Sequence, residues 1–517
     1  MTARSLTLRG ATYPLVLPSL RDPRLHVAAV IISVHVLGQV GLHFRVSVPQ
    51  ILAAILTCAV LEVALTFRQS RSFVWPASAM LTGSGVALIL RAVGTRADDP
   101  WSFDAWYLFA AIAGLSLLTK YVIKSGGTHV FNPSNIGLVV AFVLLGPSRI
   151  EPLDFWWAPL NPPMLAAYAV IIVGGVLITR RLHLLALAAT FWGVFAVATG
   201  LLAASGHCIV ANWAFAPVCG VDYWRVVVTS PEVLIFLFFM ITDPRTIPAS
   251  GAARIVFGVL VAVVSTLLMA PQTDEFGAKV GLLAGLVVVC AARPLLDRWL
   301  PKADATERFD LLEAFRRAPL QRLGVIGASV VVAGVAIVAA GTPARGTALP
   351  NAAEVLSRQA PNVDPSTLPP ITVNQEVVDY RHELAGSGIN EVAIALAQNL
   401  ALENEALLQR DAGLLVAIDH GDRLLEMQAA LEGAGETGTT TVSHYTFDAI
   451  DVSLLVPFGR QEGLSLGLTG RGTVLREHYD GDGNRIRAGS EPFHLTFAMR
   501  QATGARWMLV AVVPPAE

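Results

Sequence analysis

The sequence predicts an all-α polytopic membrane bundle followed by a soluble α+β domain, and three observations carry that reading. Hydrophobic residues make up 54% of the 517-residue chain and charged residues only 15%, a balance outside the range of ordinary soluble proteins. Apolar runs long enough to cross roughly 30 Å of hydrocarbon recur up to residue 341. From Gly341 onward the long apolar runs stop and the charge changes sign: 22 Asp and Glu against 12 Lys and Arg, where the preceding part has 17 against 25.

Eleven spans are expected, at 25–43, 48–67, 75–93, 102–120, 133–148, 163–180, 183–204, 230–242, 253–270, 277–297 and 323–341. The fifth and eighth are short, and each adjoins a polar break. Lys124-Ser125-Gly126-Gly127-Thr128-His129-Val130-Phe131-Asn132-Pro133-Ser134-Asn135 leads into the fifth, and Met240-Ile241-Thr242-Asp243-Pro244-Arg245 ends the eighth. Polar, helix-breaking sequence at membrane depth is tolerated only where protein or a water-filled cavity satisfies the freed backbone groups, so the two breaks suggest a built site. Discontinuous or re-entrant helices would produce such short spans, and so would a misplaced boundary.

Charge orients the bundle. With the N-terminus inside, nineteen Lys and Arg fall on the cytoplasmic side and six on the other, which places both breaks inside and the C-terminal domain outside. The Arg- and Ala-rich composition suits a bacterial inner membrane. The apolar run from Leu25 is long enough to span and lacks a small-residue cleavage site, so the first helix is expected to act as its own insertion signal. Of the four cysteines, Cys58 and Cys290 lie inside apolar runs and read as packing residues, whereas Cys208 and Cys219 share the longest exterior loop and are disulfide candidates.

The expected organisation is a cytoplasmic segment at 1–24, a membrane domain at 25–300, a basic loop and last span at 301–341, a Pro- and Ala-rich linker at 342–374 and an extracytoplasmic α+β domain at 375–517. Helical periodicity covers Ile389 to Leu408 and Asp422 to Leu431. Strand-like runs follow at Thr440 to Phe447, Val452 to Pro457, Gly463 to Thr469, Val474 to Tyr479, Phe493 to Arg500 and Trp507 to Val513. Helices followed by a curved antiparallel sheet resemble, in pattern, the nuclear-transport-factor-2-like (NTF2-like) cone fold. Asp480-Gly481-Asp482-Gly483-Asn484 with Glu491 copies the spacing of a calcium loop, but Arg485 stands where that loop needs Gly, so a solvated hairpin turn is expected and no metal site.

The breaks carry a resemblance. Phe131-Asn132-Pro133 at the head of a helix, Ser78-Ala79-Met80-Leu81-Thr82-Gly83 at the head of the third, and Thr242-Asp243-Pro244 are similar, in order and spacing, to motifs of one membrane family. That family contains the NqrB-like component of sodium-pumping NADH:quinone reductase and the RnfD-like component of the Rnf electron-transport complex. The resemblance covers roughly residues 25–300, and within the family it leads to the branch associated with enediyne biosynthesis, which also carries a hydrophilic C-terminal extension. It implies a core of two inverted five-helix repeats that holds flavin and passes electrons. Glycines there admit an isoalloxazine or phosphate, and helix N-termini present unpaired N–H groups to an anion. Members of the family attach FMN to a threonine in a Ser/Thr-Gly-Ala-Thr motif that this chain lacks at the corresponding position; Gly10-Ala11-Thr12 precedes the first helix. Flavin (FMN or riboflavin), if bound, is therefore expected to be non-covalent, and quinone remains open.

The expected cofactor-binding residues are Ser125, Gly126, Gly127, Thr128, Asn132 and Pro133 in the first break and Thr242, Asp243 and Pro244 in the second; no catalytic residue is assigned. Each has a plainer role. Asn132-Pro133 can be an N-cap followed by Pro at the first helical position, and Thr242-Asp243-Pro244 a helix end. Glu62, inside the second span, is either functional or a paired structural acid. Thr82-Gly83-Ser84-Gly85 can serve close helix packing. His35 and His43 have no matched pair on another helix to make a haem site. No Walker loop, Rossmann fingerprint, paired CxxC or HExxH occurs, and the basic residues are accounted for by topology rather than nucleic acid. The leading expectation is a membrane subunit of a redox assembly, with other subunits of a complex or a secreted or periplasmic protein as partners. A small-solute transporter or channel on the same scaffold, or an anchor presenting the exterior domain, are the alternatives.

Overall fold

The computed structural model describes residues 2–8, 11–42, 44–93, 95, 99–147, 149–153, 162–209, 218–299, 320–345, 360–380, 382–455, 465–501 and 507–515. The chain divides into two compact units, the first built essentially from residues up to Gly346 and the second from Thr347 onward.

The first unit is helical: α1 (Pro23–Val40), α2 (Val48–Ser70), α3 (Ala77–Ile89), α4 (Trp106–Val122), α5 (Pro133–Leu145), α6 (Pro162–Arg181), α7 (Leu185–Ala204), α8 (Gly220–Thr229), α9 (Pro231–Ile235), α10 (Gly251–Met269), α11 (Glu275–Trp299) and α12 (Leu320–Ala340). A π-helical turn, Phe236–Met240, continues α9. Among the described residues seven stretches are long and apolar enough to cross a membrane: α1, α2, α6, α7, Gly220–Met240, α10 and α11. Each of the eleven expected spans contains a helix, but α3 and α5 have only 13 residues. At 1.5 Å per residue each reaches about 20 Å, short of the roughly 30 Å of a hydrocarbon core.

Helix starts are set by a repeated local device. Asp22, Ser47, Asn132 and Ser230 each cap a helix with a side-chain oxygen, and a proline occupies the first or second helical position after each. The cap satisfies an orphan backbone N–H and proline, having none, wastes no donor, which suits a helix end with little access to water. Gly83 lets α3 lie against the α2 backbone, since a Cβ there would fall 2.5 Å from the Ala54 carbonyl oxygen.

Short strands tie the helix ends together. β1 (Thr2–Leu8) and β2 (Ala11–Leu17) form a hairpin that β3 (Phe73–Val74) extends in parallel, so the N-terminal segment, expected only as a cytoplasmic tail, is ordered sheet. β4 (Leu90–Ala92) follows α3. β5 (Lys124–Ser125) and β6 (Thr128–His129) form a hairpin between α4 and α5, and β7 (Ile150–Pro152) follows α5 and pairs antiparallel with β4. The two short helices thus both run on into extended segments that satisfy each other. β8 (Cys208–Ile209) and β9 (Val218–Cys219) pair, and Cys208 and Cys219 are joined by a disulfide across them.

In the second unit a five-stranded sheet has the order β10 (Ile371–Val373), β11 (Thr440–Leu454), β12 (Ser465–Tyr479), β13 (Arg485–Gln501), β14 (Trp507–Val513); β10 is parallel to β11 and the other pairs are antiparallel. Helices α13 (Gln375–Tyr380), α14 (Asn390–Gln409), α15 (Ala412–Ile418) and α16 (Gly421–Thr437) lie between β10 and β11 in sequence. Val392, Leu396 and Leu400 of α14 bury themselves against Ile450, Val452, Leu466, Leu468, Phe497 and Leu509. β10 lies inside the stretch expected as linker. The runs expected as separate strands at 440–447 and 452–457 belong to one bulged strand, and those at 463–469 and 474–479 to another, over the described residues. Gly470 is mid-strand: a Cβ there would lie 2.5 Å from the Phe447 ring, so its absence lets Phe447 and Phe493 cross over β12 and pack edge-on at 5.3 Å. Asp480–Asn484 is the β12–β13 turn, with the Asp480 carboxylate accepting from the backbone N–H groups of Asp482 and Asn484.

This unit also buries charge. Arg423 donates to both oxygens of Glu403, at 2.7 and 2.6 Å, and Asp419 is fully buried beside them. Burial, reinforced by the Glu403 carboxylate, holds the Asp419 carboxyl well above the usual carboxylate range, and burial raises Glu403 against the opposing pull of Arg423.

Candidate functional site

A cavity of about 410 Å³ in the helical unit lies where the two breaks meet. That volume is within the span of small-molecule and cofactor sites, roughly 300–1,000 Å³. Its polar lining comes from helix beginnings: Asp22 and Arg24 at α1, Ser78 and Thr82 at α3, and Asn132, Pro133 and Ser134 at α5. Thr242, Asp243, Pro244 and Arg245 supply the other polar wall, and Ile31, Leu81, Leu88, Ile178, Phe238 and Phe239 the apolar one.

Local chemistry sets each part. The Asn132 side-chain oxygen accepts from the Asn135 backbone N–H at 3.2 Å and from the Ser134 hydroxyl at 2.8 Å, so Asn132 is at once the N-cap of α5 and part of the wall. The π turn ends with the Ile241 N–H bonded to the Phe236 carbonyl, after which the Asp243 carboxylate accepts from the Arg245 N–H and closes the turn. Asp243 also faces Nε2 of His129 at 3.4 Å, which links the second break directly to the first. Thr242 and Thr82 spend their hydroxyl protons on the carbonyls of Phe238 and Ser78.

The residues expected to bind a cofactor separate into two groups. Asn132, Pro133, Thr242, Asp243 and Pro244 line the cavity. Ser125, Gly126, Gly127 and Thr128 do not: they form the exposed tip of the β5–β6 hairpin, with Gly126 and Gly127 at φ of +59° and +82°, the paired left-handed geometry of a two-residue hairpin turn. Glycine is there for backbone conformation.

Several lining residues escaped the sequence reading. Asp22 and Arg24 bond each other, Arg24 reaching the Asp22 carboxylate at 2.6 Å, and their Asp-Pro start has the same form as Asn132-Pro133. His129 was within the first break but not singled out. Behind the cavity wall, Glu62 of α2 accepts from Lys120 Nζ at 2.8 Å and from the Tyr121 hydroxyl, and the same ammonium lies 3.5 Å from the hydroxyl of Ser78. Glu62 is therefore a paired acid adjoining the site. His35 is buried and bonded to Ser84 of α3 at 3.1 Å, a packing role; His43 lies outside the described residues. Gly85 meets Ser134 across the α3–α5 contact. No group of three or more metal-ligating side chains occurs among the described residues.

The lining suits a largely apolar ligand with a polar end. Three helix starts, Arg24 and Arg245, with Asp22 and Asp243, supply the polar and charged lining, and aromatic and aliphatic side chains supply the rest. No family model matches this sequence, and a comparison with curated proteins finds no match either.

Proposed function

We propose that the chain is a membrane subunit of an electron-transport assembly, related to the RnfD-like and NqrB-like proteins, and that it holds flavin non-covalently, or quinone, in the cavity between the two breaks. One observation carries this reading. The three separate motifs of the resemblance, Ser78 to Thr82, Asn132-Pro133 and Thr242 to Pro244, come from distant parts of the sequence and line the same 410 Å³ cavity.

A flavin bound there would supply one- or two-electron transfer. The chain's own part is to hold it: Arg24, Arg245 and the helix starts face its charged or carbonyl end, and Phe238, Phe239, Leu81 and Ile178 enclose its ring and keep water away. Eleven crossings, two of them completed by the paired strands β4 and β7 that continue α3 and α5, a cytoplasmic N-terminus and an extracytoplasmic NTF2-like domain in a bacterial inner membrane complete the reading, supported by a helix within every expected span and by the charge bias. The donor and acceptor are other subunits.

Protein purified in mild detergent is expected to show a flavin-type absorption band that acid precipitation releases into the supernatant. Asn132→Leu and Thr82→Trp, the first removing a polar wall and the second filling the cavity, should each lose that band with the fold retained. A colourless folded protein that also fails to bind added quinone overturns the proposal.

One observation favours a second reading, a small-solute transporter or channel. A further cavity of about 30 Å³ shares Ile89, Ile235 and Met240 with the first, and is lined by Glu232 and Lys279, which pair at 3.0 Å. Two cavities divided by three apolar side chains resemble an occluded path.

A further inference from the structure

The two edges of the five-stranded sheet are finished differently. On β11, β10 pairs along 450–452, and farther along Asn404 of α14 bonds Ser443 through both its amide nitrogen and oxygen, at 2.8 and 2.9 Å, imitating a neighbouring strand. On β13, β14 pairs only from Thr496 to Gln501. β14 then runs into Pro514-Pro515, which have no N–H with which to continue the ladder. Residues 485–492 are all exposed, and among the described residues no strand or side chain pairs with the outer backbone of 485–495. Such an open edge is a template for another strand.

We propose that this edge pairs with the same edge of a second copy of the chain, antiparallel and two-fold symmetric about Gly489. The charge pattern selects that occupant and register. Pairing centred on Gly489 sets Arg487 of each copy opposite Glu491 of the other, twice over, and Ile486, 59% exposed, opposite Pro492. Glu491 already bonds Arg476 of β12 at 2.6 Å on the same face, so each symmetric contact becomes an Arg–Glu–Arg group. The length also matches. The self-paired stretch runs from Arg485 to Phe493, bounded by the Asp480–Asn484 turn at one end and by the last β14 pair, Thr496 with Val513, at the other. The charges at Arg487 and Glu491 deter pairing in other registers, where like charges would meet, which is how edge strands restrict their partners.

The test uses the full-length chain in native membranes. A Cβ at Gly489 meets open space and Gly489 has no left-handed φ, so Gly489→Cys is tolerated, while Cys58 and Cys290 are buried and Cys208 is bonded to Cys219. Residues opposite in an antiparallel pair are within disulfide reach. Mild oxidation of the Gly489→Cys chain should give a covalent dimer, and Asp482→Cys, far along the strand from its counterpart, should give none. Arg487→Glu, and separately Glu491→Arg, should each lower the dimer yield about tenfold by setting like charges opposite, and the double exchange should restore it. Absence of the Gly489→Cys dimer, an equal yield from Asp482→Cys, or failure of the double exchange to restore pairing overturns the proposal. An adduct of any mass other than twice the chain does so too, because it assigns the edge to a foreign strand.

Discussion

Both units bury carboxyl groups, and they neutralise them by different means. In the helical unit Glu62 is met by the Lys120 ammonium and the Tyr121 hydroxyl. In the sheet unit Arg423 serves Glu403, while Asp419, fully buried against Glu403, has no basic group bonded to it among the described residues and is pushed by burial toward holding its proton. An acid balanced by a fixed cation ties stability to that cation. An acid balanced by a proton ties stability to pH.

The largest expected effect tests the first half of that contrast. Lys120→Met leaves the part-buried Glu62 without its cation and should cost about 1–3 kcal/mol of stability, measured by thermal unfolding in detergent. The double variant Glu62→Gln with Lys120→Met should recover most of it, since a buried pair costs more to break than to remove.

Asp419→Asn tests the second half. The folded-state carboxyl lies well above 3.8, so above that pH folding takes up a proton, and wild-type stability falls as pH rises until the folded-state group ionises. The slope from this group is at most about 1.4 kcal/mol per pH unit. Asp419→Asn should remove it, so that hydrogen exchange of Gly421–Thr437, corrected for intrinsic rates, separates wild type from variant increasingly as pH rises above the ordinary carboxylate range.

Smaller effects belong to the cavity. Asp243→Asn keeps an oxygen to close the turn but weakens the contact with His129, and should lower the affinity for the bound flavin or quinone by up to about tenfold in a titration. Replacing Gly126 and Gly127 by Ala strains two left-handed positions, costing about 1 kcal/mol each in the hairpin, yet should leave ligand affinity unchanged within about twofold. A large loss of affinity there would return Ser125 to Thr128 to the site.

How much of this was legible followed the range of the interactions involved. Each apolar run encodes its own helix, so the helix positions were readable residue by residue, and seven of the described stretches are long and apolar enough to cross a membrane. The Asn132-Pro133 cap and the Thr242 to Pro244 helix end depend on neighbours within a turn, and they too stood out. Asp22, Arg24 and Phe238 reach the same cavity only through packing of α1, α3, α5 and the π turn, which no local pattern records. Ser125 to Thr128 misled because Gly-Gly suits a ligand cradle and a tight hairpin equally well. In the sheet, the strand that carries Gly470 and Gly472 reads as two runs because the use of these glycines, room for the Phe447 ring at Gly470 and for the Thr446 backbone at Gly472, involves a neighbouring strand.

The π turn at Phe236–Met240 bears on chain length as well as on shape. An α-helix advances about 100° per residue, and a π turn takes up one extra residue, so the segment after it leaves the helix about 100° away from the direction an uninterrupted α-helix would give. Thr242, Asp243 and Pro244 therefore reach the cavity wall by angular phase. Deleting Leu237, which does not line the cavity, would rotate all three off the wall with no lining residue removed, so this stretch is constrained in its count of residues as tightly as in their identity.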